Sequence, residues 1–397
     1  MLDNSGNDSS LAKDDLKNDK RMVNGSETES GSGTNVDPMI RDGVDKKVLA
    51  GYAVGHLAND LCASMWFIYL SYYLLHVVEL DSHIAGLCLL SGQIADGITT
   101  PLVGFFSDKL NCKCGKRNAW YYFGSILVAP SFLCIFLGFD FFESDTGKDA
   151  WYLSFPAIFN VGWAAVQIST MSIVNQLSYS QRKRDTMANY RNGFTFVANI
   201  FILTLALILF ATVSNKTTQF RILGLSAVGL GAISTLFYVS TVREPQLTKI
   251  AIQREAAYKK ALGQEEKKEI KGEQKKGKTA GDWLKEAQFY IFALVYMFAR
   301  ISLNTTATIL PLYLDVVNKF KPPPNQDTAI ELASVPLASY VAAMLYTICL
   351  QKPITQKFRN RLIPMGISIV VTALGSFPMA FLGSGNGRYA VYVLASL

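Results

Sequence analysis

Charge is scarce in this sequence: only 17% of its 397 residues are Asp, Glu, Lys or Arg. A soluble chain of this length ordinarily carries about a quarter charged residues and divides into two or three domains. Histidine is scarcer still, with three residues at positions 56, 76 and 83, which leaves no Ser/His/Asp arrangement to argue for. No phosphate loop and no Cys-x-x-Cys pair is present, so neither an enzymatic activity nor a cofactor is expected. The six cysteines are too dispersed for a disulfide framework. Cys62, Cys88, Cys134 and Cys349 fall inside apolar stretches, where a free thiol acts as a small hydrophobe. Cys112 and Cys114 form a lone C-x-C in a basic loop, and without a nearby His or a second Cys pair no metal site is expected there. Residues 1–44 lack apolar runs and are rich in Asp, Asn, Ser, Gly and Lys, which favours a disordered tail without a cleavable leader.

The remainder is half hydrophobic and 12% aromatic. Its charges are segregated into the first 47 residues and the stretch Arg243–Lys285. Between these lie runs close to the ~18 or more apolar residues a helix needs to cross a bilayer. Spans are expected at 48–75, 84–106, 119–139, 151–176, 192–213, 220–241, 287–316, 330–350 and 362–383. A tenth begins near Tyr389, and the sequence ends within it. Continuous runs of this kind exclude the short alternating segments of a β-barrel.

The net charge of +7 suggests nucleic acid until its placement is considered. One set of loops carries Lys109, Lys113, Lys116 and Arg117; Arg182, Lys183, Arg184 and Arg191; the Lys-rich stretch 243–285; and Lys352, Lys357, Arg359 and Arg361. The alternate loops carry only Lys148, Lys216, Arg221, Lys319, Lys321 and Arg388. That asymmetry orients a membrane protein with its basic side in the cytosol, so the expected partner is the lipid bilayer and the N-terminus is expected to be cytosolic. A sequon, Asn215-Lys216-Thr217, falls in a non-cytosolic loop and is a candidate glycosylation site.

Six spans, a long charged linker over 243–285, and further spans form the layout of an all-α membrane protein with two helical bundles related as parallel repeats. The bundles are expected at 45–242 and 286–397. The second is incomplete, with about nine to ten of twelve spans present in all. The linker reads as solvated and partly helical.

Ionisable groups in mid-span are costly unless they face a cavity or a partner. Asp60 lies near the middle of the first span and Asp96 near the middle of the second. His56 precedes Asp60 by four residues, which places both on one helical face. A desolvated carboxylate regains its charge by binding a cation or pairing with a base, as ion or proton coupling requires; alternatively the two acids only pair across the bundle. Arg300 sits in the body of the seventh span with Asn304 one turn on. Its guanidinium suits the carboxylate of an anionic or zwitterionic solute, or else it is the structural partner of Asp60 or Asp96. Tyr313, Thr305 and Thr308 add hydroxyls to the same helix.

Several motifs carry a resemblance. They are Gly51-Tyr52-Ala53-Val54-Gly55-His56 and Asn59-Asp60-Leu61-Cys62-Ala63-Ser64-Met65-Trp66 in the first span. The second span contributes Gly92-Gln93-Ile94-Ala95-Asp96-Gly97 and Thr100-Pro101-Leu102-Val103-Gly104, and the seventh contributes Tyr296-Met297 through Pro311-Leu312-Tyr313-Leu314. From about residue 45 onward the chain resembles the major facilitator superfamily, and within it the glycoside–pentoside–hexuronide:cation symporter group. The resemblance implies a major facilitator fold and cation-site acids at Asp60 and Asp96. It further implies a basic residue opening the fifth span at Arg191. A latch motif at Gly104, Asp108, Gly115, Lys116 and Arg117 also follows, with Asn111 to Cys114 as an insertion. Where the group has further acids, this sequence has Thr100 in the second span and Val166 or Gln167 in the fourth, which places Gln167 among the candidate substrate contacts and argues against a sugar. The branch it resembles implies import of cysteine into lysosomes and melanosomes, with a coupling cation or proton. A cation-coupled sugar symporter and a shortened, non-transporting form are the competing readings.

Overall fold

The computed structural model describes residues 43–261, 281, 285–350 and 353–396, apart from positions 111, 140, 143, 355–356, 359–361, 380 and 383–388. Most of the expected tail, linker residues 262–280 and 282–284, Asn111 of the expected insertion, and Lys352, Arg359, Arg361 and Arg388 lie outside the described residues.

Helices account for every regular element among the described residues. The expected first span is two helices, α1 (Lys46–Val54) and α2 (Leu57–His76). The break falls at Gly55, whose carbonyl accepts the Tyr121 hydroxyl at 2.8 Å. A side chain on Gly55 would lie 2.3 Å from the Tyr238 ring, so only glycine lets the chain approach there. Then follow α3 (Ser82–Lys109), α4 (Lys116–Phe136), α5 (Asp145–Leu177), α6 (Gln181–Thr212) and α7 (Lys216–Thr241). After residues 242–243 comes α8 (Glu244–Ala261), then α9 (Ala287–Leu312) with a π-turn over Tyr313–Val317. The chain continues in α10 (Glu331–Leu345), extended by a π-turn over Tyr346–Leu350, and in α11 (Leu362–Met379) and α12 (Val391–Leu394).

Polar residues start these helices where the sequence changes character. Asp45, Asp81, Ser144, Ser180 and Asn215 each place a side-chain oxygen on a backbone N–H of the first turn, satisfying donors that have no intrahelical partner. Six of the helical segments, α4 to α7, Ala287–Val317 and Glu331–Leu350, are long and apolar enough to cross a membrane. The α2 and α3 helices carry Asn59 and Asp60 in the first turn of α2 and Gln93 and Asp96 in the body of α3.

In the first half, α4 and α3 pack along α5, while α2 lies against α6 and α7. The core is aromatic: Tyr69, Tyr73, Phe132, Phe136, Phe210 and Phe220 are fully buried. The α4–α5 seam is tightest at Gly124 and Gly162, where a Cβ on Gly124 would lie 2.5 Å from the Gly162 carbonyl oxygen; small residues permit such backbone contact within lipid. The second half meets the first through α9 against α2 and α10 against α6. The outer faces of α9 and α11 expose Phe292, Leu374 and Phe377, apolar surface suited to acyl chains.

The ends of the two halves meet on the face opposite the linker. His76 Nε2 lies 3.6 Å from Asp315 Oδ2, the Tyr69 hydroxyl donates to Leu332 O at 3.3 Å, and buried Thr328 donates to Gln219 Oε1 at 2.7 Å. The linker itself begins as structure. Helix α8 packs on α5 and α4, and Glu244, at the head of a stretch expected to be solvated, is buried.

Candidate functional site: a charged cavity between the halves

A cavity of about 290 Å³ opens between α2, α3 and α5 of the first half and α9 of the second, lined among others by Gln93, Asp96, Thr100, Asn160, Trp163, Gln167, Arg300 and Asn304. Glycine at 92 shapes one wall: a Cβ there would fall 2.5 Å from Asn160 Nδ2 and 2.7 Å from Trp66. Trp66 in turn stacks on Phe159 with ring centroids 5.2 Å apart. The walls are therefore aromatic and fixed, with polar atoms projecting between them.

Two opposite charges face this space. Asp96 Oδ1 accepts the Thr100 hydroxyl at 3.2 Å, so the hydroxyl that stands where the symporter group has an acid serves as a donor to the remaining acid. Arg300 Nε donates to the Tyr296 hydroxyl at 3.1 Å. The guanidinium lies within Coulomb range of Asp96, yet no ion pair closes between them among the described residues, leaving both charges directed at the cavity. Gln167 Oε1 and Trp163 Nε1, an acceptor and a donor, are buried without hydrogen-bond partners. Buried polar atoms of this kind are costly unless a ligand or water meets them.

Asp60 belongs to a different cluster. His56 Nδ1 sits 2.9 Å from Asp60 Oδ1, and the Thr195 hydroxyl donates to Asp60 Oδ2 at 3.1 Å. Ser64 donates to Asp60 O and Asn199 Oδ1, each at 2.9 Å. Arg191 Nη2 reaches the His56 ring nitrogens at 3.3 and 3.5 Å. Arg191, expected as the basic residue that opens the fifth span, therefore joins the His56–Asp60 pair. The structure brings Asp96, Gln167, Arg300 and Asn304 together and sets Asp60, His56 and Arg191 in a second network. Tyr313 joins neither: its hydroxyl donates to the carbonyls of Met379 and Leu382, tying the start of the π-turn to the end of α11.

The latch residues gather at the linker face. Arg117 donates to Asp108 and Ser107, and Lys116 Nζ donates to Asp108 O at 3.4 Å. Gly104 lies within α3, and a Cβ there would meet no atom within 4 Å. Gly115 has φ +106°, a conformation that glycine adopts at little cost. Glu244, which sequence reasoning missed, accepts from the backbone N–H groups of Lys116, Arg117 and Asn118 at 3.1, 2.8 and 2.8 Å. A carboxylate at a helix N-terminus is favoured by its orphan donors and dipole. The available signal was an acid directly after the sixth span. Trp163 and Asn160 were missed because aromatic and amide residues inside a span read as packing. On the opposite face, exposed Asn215 caps α7, its Oδ1 accepting from Thr218 N at 2.9 Å.

Two bundles of long apolar helices enclosing a polar, charged cavity define a multi-pass carrier. Residues 51–396 match the MFS/sugar transport protein family, and the chain belongs to it. Major facilitator superfamily domain-containing protein 12 of Equus caballus is 32% identical over 378 residues, spanning 86% of this chain and 73% of that protein. Its counterpart in Homo sapiens is 31% identical over 371 residues with the same coverage. In fold, the chain is similar to the inward-open xylose transporter XylE from E. coli, with a TM-score of 0.57 at 13% identity over 88% of this chain and 77% of that one.

Proposed function

We propose that this chain is an alternating-access carrier importing a small zwitterionic amino acid, cysteine, from the cytosol into lysosomes and melanosomes. Asp60, Asp96 and His56 couple that movement to a cation or proton. The observation that carries the reading is the pairing of opposite charges on one cavity, Arg300 for a carboxylate and Asp96 for an ammonium, beside the unpartnered Gln167 and Trp163. A cavity of about 290 Å³ lies at the small end of the ~300–1,000 Å³ typical of ligand pockets, which suits a solute of few heavy atoms. The choice of cysteine and of the organelle rests on the resemblance carried by the first, second and seventh spans. Cytosolic placement of the linker face rests on its lysines and arginines.

The test is uptake of labelled cysteine by organelles or proteoliposomes containing the protein. Charge-assisted hydrogen bonds contribute about 1.5–3 kcal/mol, so Arg300→Ala should raise KM roughly 10- to 150-fold, with partial recovery in Arg300→Lys. Uptake that survives Arg300→Ala unchanged sinks the assignment. The sugar reading draws on the fold shared with a xylose transporter and on the aromatic and amide walls. Competition of cysteine uptake by pentoses and hexoses decides between the two.

A further inference from the structure

The latch loop holds a pair of thiols that lie outside the charged cavity. Cys112 and Cys114 are both free, the first exposed and the second partly so. Their sulfurs are 2.7 Å apart, against about 2.05 Å in a disulfide. The two differ chemically. The Cys114 thiol hydrogen-bonds to Cys112 and holds it below the ordinary thiol range, whereas burial beside the chain pushes Cys114 up. Cys112, the more exposed and more easily ionised of the two, is the better placed to attack, and Cys114, 2.7 Å away, to resolve, the division of roles on which exchange chemistry depends. Lys113 stands between the two and Lys116 follows them in sequence, cations that attract carboxylates, while Arg117 is paired with Asp108 and the Glu244 carboxylate opposes ionisation of both sulfurs.

We propose that Cys112 and Cys114 form a thiol–disulfide exchange site that takes small carboxylate-bearing disulfides, such as the dimer of cysteine, and closes into a disulfide within the latch loop. The Cys112 thiolate attacks one sulfur of the small disulfide, whose S–S bond breaks; one thiol leaves with a proton, and Cys112 carries the other half. Cys114 then gives up its proton and attacks the Cys112 sulfur, expelling the second half as a thiol. The protein dithiol is oxidised by two electrons and one disulfide is reduced to two thiols. The ring so formed lies between Asp108 and Arg117, which pair across the loop, and adjoins Gly115, packed against the Glu244 side chain. Oxidation therefore stiffens the segment that the latch must move, whichever solute crosses.

The test exposes the full chain in proteoliposomes to graded cystine and follows it by intact mass and peptide mapping. The native chain should lose about two mass units, mapped to Cys112 and Cys114. Cys114→Ser should trap the mixed disulfide on Cys112, and Cys112→Ser should react roughly tenfold more slowly. The hydrogen bond from Cys114 keeps Cys112 reactive at more acid pH, so alkylation by iodoacetamide should fall off at higher pH in Cys114→Ala, which lacks a donor, than in the native chain. Absence of the internal disulfide overturns the proposal. So does equal reactivity of the two single variants, or cystine modifying exposed Cys349 as fast as Cys112.

Discussion

Glu244 shows what a single buried side chain can settle. Its carboxylate answers three N–H groups at the start of α4, while Asn118 Nδ2 donates to Val242 O at 2.7 Å and Asn118 Oδ1 accepts from the Tyr238 hydroxyl at 3.1 Å. The head of α4 is thereby tied to the end of α7. Removing an acceptor from buried donors costs about 1–3 kcal/mol. Glu244→Ala should lower the stability of the purified protein by that amount, with Glu244→Gln losing less because an amide oxygen still accepts. Thermal unfolding in detergent measures both, and an unchanged midpoint in Glu244→Ala would refute the capping role. The sequence hid this residue among Lys and Glu neighbours whose composition speaks for solvent. Asp96 and Arg300, by contrast, stood out because charge inside an apolar run has few explanations.

Among the elements, the spans were legible and their partnerships were not. Helix boundaries follow from apolar runs ended by Asp, Ser and Asn caps, whereas the split of the first span at Gly55 depends on Tyr121 and Tyr238, more than sixty residues away. Likewise Asp60 and Asp96 both read as mid-span acids, and only packing assigns one to α6 and the other to the cavity. The contact between the ends of α2 and α9 is equally non-local. There His76 meets Asp315, and its ring also lies 4.7 Å from that of Tyr72. In a carrier that opens alternately to each side, this junction must separate when the face opposite the linker opens. With the His76 ring protonated this contact is a partly exposed ion pair, worth about 0.2–1 kcal/mol, so in acid medium Asp315→Asn should shift the ratio of closed to open forms by roughly 1.4- to 5-fold. Spin labels placed on the two halves beside this junction read that ratio as a distance distribution, and an unshifted distribution removes the pair from the gate.

At the scale of the whole molecule, the all-helical, multi-span architecture was legible because lipid demands it: backbone groups must be satisfied within each segment, and the apolar runs announce themselves. The cavity was less so, since its walls come from α2, α3, α5 and α9 and no periodicity relates them. Orientation rests on loop charge alone, and it yields a prediction that the structure makes practical. The linker face carries exposed Cys112, and the opposite face carries Glu79, held at φ +59° just beyond α2. If lysine and arginine retain the linker face in the cytosol, a membrane-impermeant maleimide applied to sealed organelles labels Cys112 at once. In a variant lacking the six native cysteines, Glu79→Cys should stay unlabelled until the membrane is permeabilised. Because each crossing inverts the side, the two positions, separated by α3 alone, must respond oppositely. Labelling of both in sealed organelles would refute their placement on opposite sides, and labelling of Glu79→Cys alone would reverse the orientation and with it the direction of import.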